Sequence, residues 1–261
     1  PNSLQVVYCD HMPGPWQIYH KRSTDGGDTW TAAQRLTWTS GQTLQPVLAV
    51  DSEGRIHMVW QDNASGNQEI YYKKSVDNGA TWSASKRLTW NSGSSYAPAL
   101  AIDSSNYLHV IWSDQTPGVT ELYYKNSMDA GETWSANKRI TWISGIASHP
   151  AIAADSSGVL HVAWDNPPPM TGEINYKKSA DGGVNWGAVQ TLTWNAGVSE
   201  DPSIKVDLIG KIYVVWKDNS SGNTELYYKV RADGGTSWTA GTRITYTDGD
   251  SREPAFVLDS L

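Results

Sequence analysis

Asp201 and Glu253 are carboxylates at one equivalent place in two copies of a repeated pattern, each directly before a proline. Glu200 and Arg252 stand beside them, Lys205 lies four residues beyond Asp201, and His149 takes the Asp201 position one copy earlier. Two carboxylates can hydrolyse a glycosidic bond when one protonates the leaving oxygen and the other acts as nucleophile or base. Arg252 and Lys205 would tune the pKa values of such a pair. The pair would have to stand roughly 5 to 9.5 Å apart in a cleft. Without that chemistry, the same residues, with Tyr96 at the corresponding place in another copy, form a polar rim that can hold a ligand.

Trp16 is the second candidate. It follows His11-Met-Pro-Gly-Pro, a stiff segment, and its equivalents are Gln68, Thr120, Gly172 and Thr224. A tryptophan held on a rigid exposed loop suits stacking on a sugar ring or a partner surface. The alternative is that it folds over the first repeat. His11 lies on the same loop.

These residues are informative because the rest of the chain repeats. The box Ser23-Thr-Asp25-Gly-Gly27-Asp-Thr29-Trp30 recurs with its aspartate at Asp25, Asp77, Asp129, Asp181 and Asp233, a spacing of 52 residues each time. Self-similarity at such a period signals a propeller, a solenoid or an array. The register runs without a break through residues 1–261, so a single domain is expected.

One repeat reads as four strands. In the second copy these are Pro46–Asp51, Ile56–Trp60, Glu69–Lys74 and, after the box, Arg87–Trp90. All are short, aromatic or β-branched, and bounded by turn residues, with no helical period. Small sheets of this kind bury both faces only by stacking on one another, and radial closure also protects their edges. The phase of the chain supports closure: Leu4–Tyr8 aligns with a second strand, whereas Pro254–Asp259 aligns with a first strand. The expected fold is all-β, a five-bladed propeller whose last blade takes its first strand from the C-terminal segment and the other three from the N-terminal segment.

Residues that recur in every copy are assigned to the scaffold. Thirteen of the fourteen tryptophans fall at three repeat positions and are expected to pack between blades. Each box aspartate is expected to accept backbone N–H bonds in a tight turn. A single carboxylate per box is a poor metal site. His57, His109 and His161 are expected to be hydrogen-bonded packing residues, and Lys21, Lys73, Lys125, Lys177 and Lys229 to keep solvated heads. Asp10, Asp62, Asp114 and Asp218, with Asn166, recur after the second strand as loop caps. Cys9 aligns with Gln61, Ser113, Asp165 and Lys217, a mixture that suggests an exposed position. What varies is the pair before each first-strand proline: Leu44-Gln45, Tyr96-Ala97, Ser148-His149, Glu200-Asp201 and Arg252-Glu253. These should ring the mouth of a central channel, on the face opposite the boxes.

The boxes resemble the Asp-box, or BNR, repeats of sialidase-like β-propellers, and the resemblance covers the whole chain. In that family the box lies between the third and fourth strands of a blade, as here. The resemblance implies the fold, but the group includes sialidases, other glycosidases, lectin-like proteins and scaffolding domains. Sialidases of the family carry an inward arginine triad, a Tyr/Glu pair and an acidic Asp. Of the eight arginines here, Arg35, Arg87, Arg139 and Arg243 share an outer-strand position, Arg22, Arg55 and Arg231 flank turns, and Arg252 alone precedes an inner strand. A working sialidase is therefore not expected.

Composition narrows the partners. A net charge of -7 argues against nucleic acid, whose phosphates require clustered lysine and arginine. No apolar run approaches the length of a membrane span. One cysteine excludes an internal disulfide. The leading expectation is a non-catalytic recognition or scaffolding module, a monomer, binding carbohydrate or a protein surface through Trp16, His11, Tyr96, His149, Glu200, Asp201, Lys205, Arg252 and Glu253. No metal or cofactor is expected, and the family resemblance leans to an extracellular location. The alternative is a glycoside hydrolase using Asp201 and Glu253.

Overall fold

The computed structural model describes residues 3–11, 14–143, 145–167, 172–232 and 237–259. These residues form five antiparallel sheets and no helix, so the fold is all-β and five-bladed. Four sheets have four strands each, arranged in sequence order from the channel outward. Their innermost strands are Thr43–Val50, Ser95–Ile102, Ser148–Ala154 and Ser199–Val206. A two-residue strand such as Lys86–Arg87 closes each blade at the perimeter.

The N-terminal sheet has three strands, Leu4–Asp10, Gln17–Ser23 and Gln34–Arg35. Pro254–Asp259, the segment that aligns with its inner strand, carries no β-ladder here. In the other blades a four-residue hairpin turn such as Asp51–Gly54 joins inner and second strands, with Gly54 donating to the Asp51 carbonyl. Leu4 and Val6 are 41% and 43% exposed. The turn expected from Asp259 to Ser3 includes residues outside the described set. Even so, Glu253 and Pro254 take the fifth place around the central mouth beside their four equivalents.

The core lies between blades. Both faces of the second strands Ile56–Asp62 and Leu108–Asp114 are buried throughout, as stacking between two neighbours requires. Trp60, Trp112, Trp164 and Trp216 are at most 2% exposed. The box tryptophans Trp82, Trp134, Trp186 and Trp238 meet His20, Tyr72, Tyr124 and Tyr176 of the preceding blade edge-on, with ring centres 5.1–5.4 Å apart. His57 lies between the Asp51 carboxylate, 3.1 Å away, and the Tyr72 hydroxyl, 2.8 Å away, and His109 and His161 repeat this arrangement.

The turn of each described box is built by its own side chains. Asp77 accepts the Thr81 amide and hydroxyl at 2.8 and 2.6 Å, while Ser75 donates to Asp77 and accepts the Gly79 amide. Asp25 and Asp129 repeat these contacts, and Asp181 uses Asn185 in place of threonine. These hydrogen bonds hold the carboxyls of Asp77 and Asp129 down at about 2. Asp233 lies outside the described residues.

Three expectations are corrected. Trp38, Trp90, Trp142 and Trp194 do not pack between blades but stand 67–75% exposed, because their strand is the outermost. Arg35, Arg87 and Arg139 lie over the first three at 5.7–5.8 Å. The lysine heads Lys73, Lys125 and Lys177 are buried rather than solvated, each donating to a carbonyl of the previous blade, Leu36, Leu88 or Ile140, at 2.6–2.7 Å. Burial holds all three ammonium groups below the ordinary lysine value. Finally, the variable position of Cys9 is not exposed: Gln61, Ser113 and Asp165 are at most 7% exposed, and Cys9 and Lys217 are half-buried. Its side chains support the mouth, as follows.

Candidate functional site

The mouth of the ring is a cavity of about 560 Å³, lined by Gln45, Ala97, His149, Asp201 and Glu253 with the five prolines that follow them. All five non-glycine residues adopt left-handed backbone, with φ between 45 and 55°. This conformation costs an L-residue about 1–2 kcal/mol. In the four paired inner strands it accompanies a β-bulge that interrupts the ladder, as between Glu200 and Ser203. The bulge turns the residue away from the ladder and presents it to the channel. Ala97 has no polar side chain to compensate, so Ala97→Gly should raise stability by about 0.5–1 kcal/mol. A chemical denaturation curve with an unchanged slope would measure it.

The residue one blade back, at the Cys9 position, holds two of these bulges directly. Gln61 Oε1 accepts the Ala97 amide at 2.7 Å, and Asp165 Oδ2 accepts the Asp201 amide at 2.9 Å. Asp165 does more than its counterparts, since it is fully buried and also accepts the Ser148 hydroxyl at 2.8 Å and His149 Nδ1 at 2.9 Å. That hydrogen bond raises the His149 pKa above the ordinary histidine value, against burial, with Asp201 and Glu200 adding to it. Asp201 Oδ1 lies 3.3 Å from His149 Nδ1, and Asp201 Oδ2 lies 2.6 Å from Lys217 Nζ. Burial pulls the Lys217 ammonium down, but Asp201 and Glu200 outweigh it and hold the pKa above normal. The result is a chain of alternating charge along one side of the mouth.

His149, Asp165 and Asp201 offer three ligand atoms within 4.8 Å of one another, a donor set suited in kind to a divalent cation. A protonated His149 and the Lys217 ammonium already supply positive charge to these two carboxylates. Asp165 and Lys217 were not among the candidate residues, because a position that varies from copy to copy reads as surface. The available signal was the offset of 36 residues that places each of them behind a rim residue, as Gln61 behind Ala97 and Asp165 behind Asp201.

The remaining candidates fall outside the mouth. Glu200 and Arg252 line a smaller cleft of about 190 Å³ with Lys217, Asn219 and Thr224, and Arg252 pairs with Asp250 at 2.5 Å. Lys205 is exposed two residues beyond Ser203 and makes no ion pair among the described residues. Tyr96 is half-buried, with its hydroxyl 3.4 Å from Thr120 Oγ1, and does not line the mouth. Trp16 is 39% exposed and stacks on His11 at 4.7 Å, outside the mouth. Its backbone has a structural role: the Trp16 carbonyl accepts the Thr43 amide, as Gln68, Thr120, Gly172 and Thr224 accept the equivalent amides.

None of the eight arginines lines the mouth. Arg87, Arg139 and Arg243 bind buried glutamates at the perimeter, Arg55 binds Asp51, Arg22 donates to the Asn78 carbonyl, Arg35 to that of Thr37, and Arg231 lies over Tyr176. No helix among the described residues is long and apolar enough to cross a membrane.

No protein-family model matches the chain, and no curated protein matches it. Solved structures do. A Hadza microbial sialidase superposes with a TM-score of 0.65 at 16% identity over 94% of this chain, which spans 57% of that protein. An α-L-arabinanase of Penicillium chrysogenum gives 0.65 at 17% identity, covering 91% of this chain and 76% of the other. A Dyadobacter fermentans protein of unknown function gives 0.67 at 12% identity, covering 94% and 79%. At these identities the likeness is one of fold: the chain is a five-bladed β-propeller.

Proposed function

We propose that the chain is a non-catalytic recognition propeller that binds carbohydrate at the central mouth. The observation that carries this reading is the contrast between support and display. One left-handed, proline-backed position repeats five times around a cavity of about 560 Å³, and it carries Gln45, Ala97, His149, Asp201 and Glu253 in turn. Hydroxyl-rich ligands suit such a set of charged and amide groups, which both donate and accept hydrogen bonds. Asp201 Oδ1 lies against His149 and Oδ2 against the Lys217 ammonium, and no arginine stands ready for a substrate carboxylate, which favours binding over turnover. The resemblance to Asp-box propellers, and the sugar-acting enzymes among the structural neighbours, agree with a sugar ligand. A monomeric, extracellular protein fits the same reading.

Calorimetric titration across a glycan panel tests it. A bound glycan should lose at least tenfold in affinity in Asp201→Asn and in His149→Ala, about 1.4 kcal/mol or more. Trp16→Ala should leave the affinity unchanged. Absence of any glycan ligand, or equal binding by all three variants, would remove the proposal. The second reading, a glycoside hydrolase, rests on Asp201 and Glu253 sharing this cavity. It requires release of sugar that disappears in both Asp201→Asn and Glu253→Gln.

A further inference from the structure

Four boundaries between neighbouring blades are built alike, and the boundary between the last blade and the first is not. Counting the N-terminal sheet as the first, apolar clusters join first to second, second to third, third to fourth and fourth to fifth. None among the described residues joins the fifth to the first. At each made boundary a box tryptophan meets an aromatic ring of the preceding blade. A lysine such as Lys73 also donates to a carbonyl at the perimeter of that blade.

The remaining boundary has the parts of these contacts and does not make them. Trp30 and Tyr228 stand at the tryptophan and tyrosine positions, yet neither ring has an aromatic partner among the described residues. Lys21 stands at the lysine position without a hydrogen bond from its ammonium among those residues. Ile244, whose carbonyl corresponds to the acceptors at the other boundaries, is 48% exposed, whereas Leu36, Leu88, Ile140 and Leu192 are at most 2% exposed.

Both walls of this seam are apolar. Alternate residues of a strand share a face, and in the first sheet Val7 and Cys9 turn to the second blade. Leu4, Val6 and Tyr8 therefore turn to the seam. Leu4 and Val6 are 41% and 43% exposed, whereas their equivalents, from Ile56 and Met58 to Ile212 and Val214, are at most 4% exposed. On the other wall Val257 is 88% exposed, where Ala101 and Ala153 are 8% and 9%. Phe256 and Leu258, which alternate with it, are half-buried, so one face of that segment is covered and the other is open. Open arrays end in repeats with polar outer faces. These two faces keep the apolar residues of the interior instead.

The backbone is open at the same place. Leu4–Asp10 pairs with Gln17–Ser23 on one side and with no strand on the other, and such an edge is a template for a further strand. Four like boundaries set one angle between neighbouring sheets, and at that angle the fifth and first sheets stand apart. We propose that the seam is a docking surface for one more blade of this 52-residue repeat. Its second strand pairs with Pro254–Asp259, as Leu108–Asp114 pairs with Ser95–Ile102. The inner strand that follows it in the pattern pairs with Leu4–Asp10. Its box tryptophan meets Tyr228 and its lysine reaches the Ile244 carbonyl, while its own aromatic ring and perimeter carbonyl receive Trp30 and Lys21. One period in register carries all of these groups.

The test extends the chain after Asp259 with a copy of residues 156–207, which keeps the register because Asp259 stands where Asp155 does. Hydrogen exchange, trypsin digestion and thermal denaturation are compared with and without the added repeat. The repeat is expected to resist trypsin, to raise Tm, and to slow exchange of the Leu4–Asp10 amides at least tenfold. Val6→Asp should leave the Tm of the unextended chain unchanged and abolish the gain in the extended one. If Leu4–Asp10 already exchanges as slowly as Leu108–Asp114 in the unextended chain, the five sheets close on themselves and the proposal is overturned. An added repeat that trypsin removes while Leu4–Asp10 exchanges as before would also overturn it, as would an equal cost of Val6→Asp in both chains.

Discussion

Trp112→Ala is expected to destabilise the protein by about 3–5 kcal/mol, the range for removing a fully buried tryptophan. Trp112 is 0% exposed and sits in a cluster with Val59, Ile70, Tyr72 and Leu88 of the preceding blade. Its ring stacks on Tyr123 at 6.0 Å, and its Nε1 donates to Asp114 Oδ2 at 2.8 Å. Truncation would leave a void between two blades. Asp114 keeps the hydroxyl of Ser95 at 2.9 Å and the amide of Thr116 at 2.8 Å, so its loop should hold while the core does not. Trp142→Ala is the control. That side chain is 69% exposed beneath Arg139, so its loss should cost about 1 kcal/mol or less. Urea denaturation of both variants reads the difference, and similar losses would refute the division between inner and outer tryptophans.

That division marks how far recurrence alone can be read. Trp112 and Trp142 recur with equal regularity, because both satisfy a constraint that every blade shares. The constraint is packing for one and an arginine platform for the other. Periodicity tells them apart only through strand position: Trp112 lies in a second strand, sandwiched on both faces, and Trp142 follows a two-residue edge strand. The five-bladed architecture was legible for the opposite reason, since every unit gives the same strand pattern and the same phase. The box turns were legible too, because short oxygen-bearing side chains and glycine have few other uses at that spacing.

The mouth was legible in its rim and hidden in its support. Gln45, Ala97, His149, Asp201 and Glu253 stood out as unlike residues before like prolines, but none of them signals left-handed backbone as glycine would. The support failed for a more general reason. Gln61 and Asp165 do one job, accepting an amide across a blade boundary, and both an amide and a carboxylate can do it. A shared hydrogen-bonding task leaves chemical identity free, so variability there was mistaken for exposure. Arg252 and Glu200 stand near the mouth in sequence but line a separate cleft, because a bulge places adjacent residues on different walls.

Asp165→Ala should cost about 2–3 kcal/mol and remove ligand binding at the mouth. The carboxylate is fully buried and accepts from Ser148, His149 and the Asp201 amide, so its loss leaves donors behind without partners. Breaking a buried pair costs about 3–5 kcal/mol, and His149 is half-exposed, so water recovers part of that loss. Asp165→Asn separates charge from shape, since the amide oxygen can still accept while the charge is gone. The pH dependence then carries the argument. His149 has its pKa raised by Asp165, so its contribution is fully present below the unfolded value of about 6.5 and is lost as pH rises through its higher folded value. The buried His57, His109 and His161 have theirs lowered by desolvation, so they destabilise the fold only as pH falls below about 6.5. The two effects occupy opposite sides of that pH. Asp165→Asn should therefore flatten the decline in stability above about 6.5 and leave the acid limb unchanged. Denaturation midpoints from pH 5 to 9 measure both limbs; a wild-type slope above neutrality in the Asn variant would mean that Asp165 does not hold the His149 proton. If it does hold it, the protonated His149 stands beside Asp201 in the mouth, and glycan affinity should fall along the same titration.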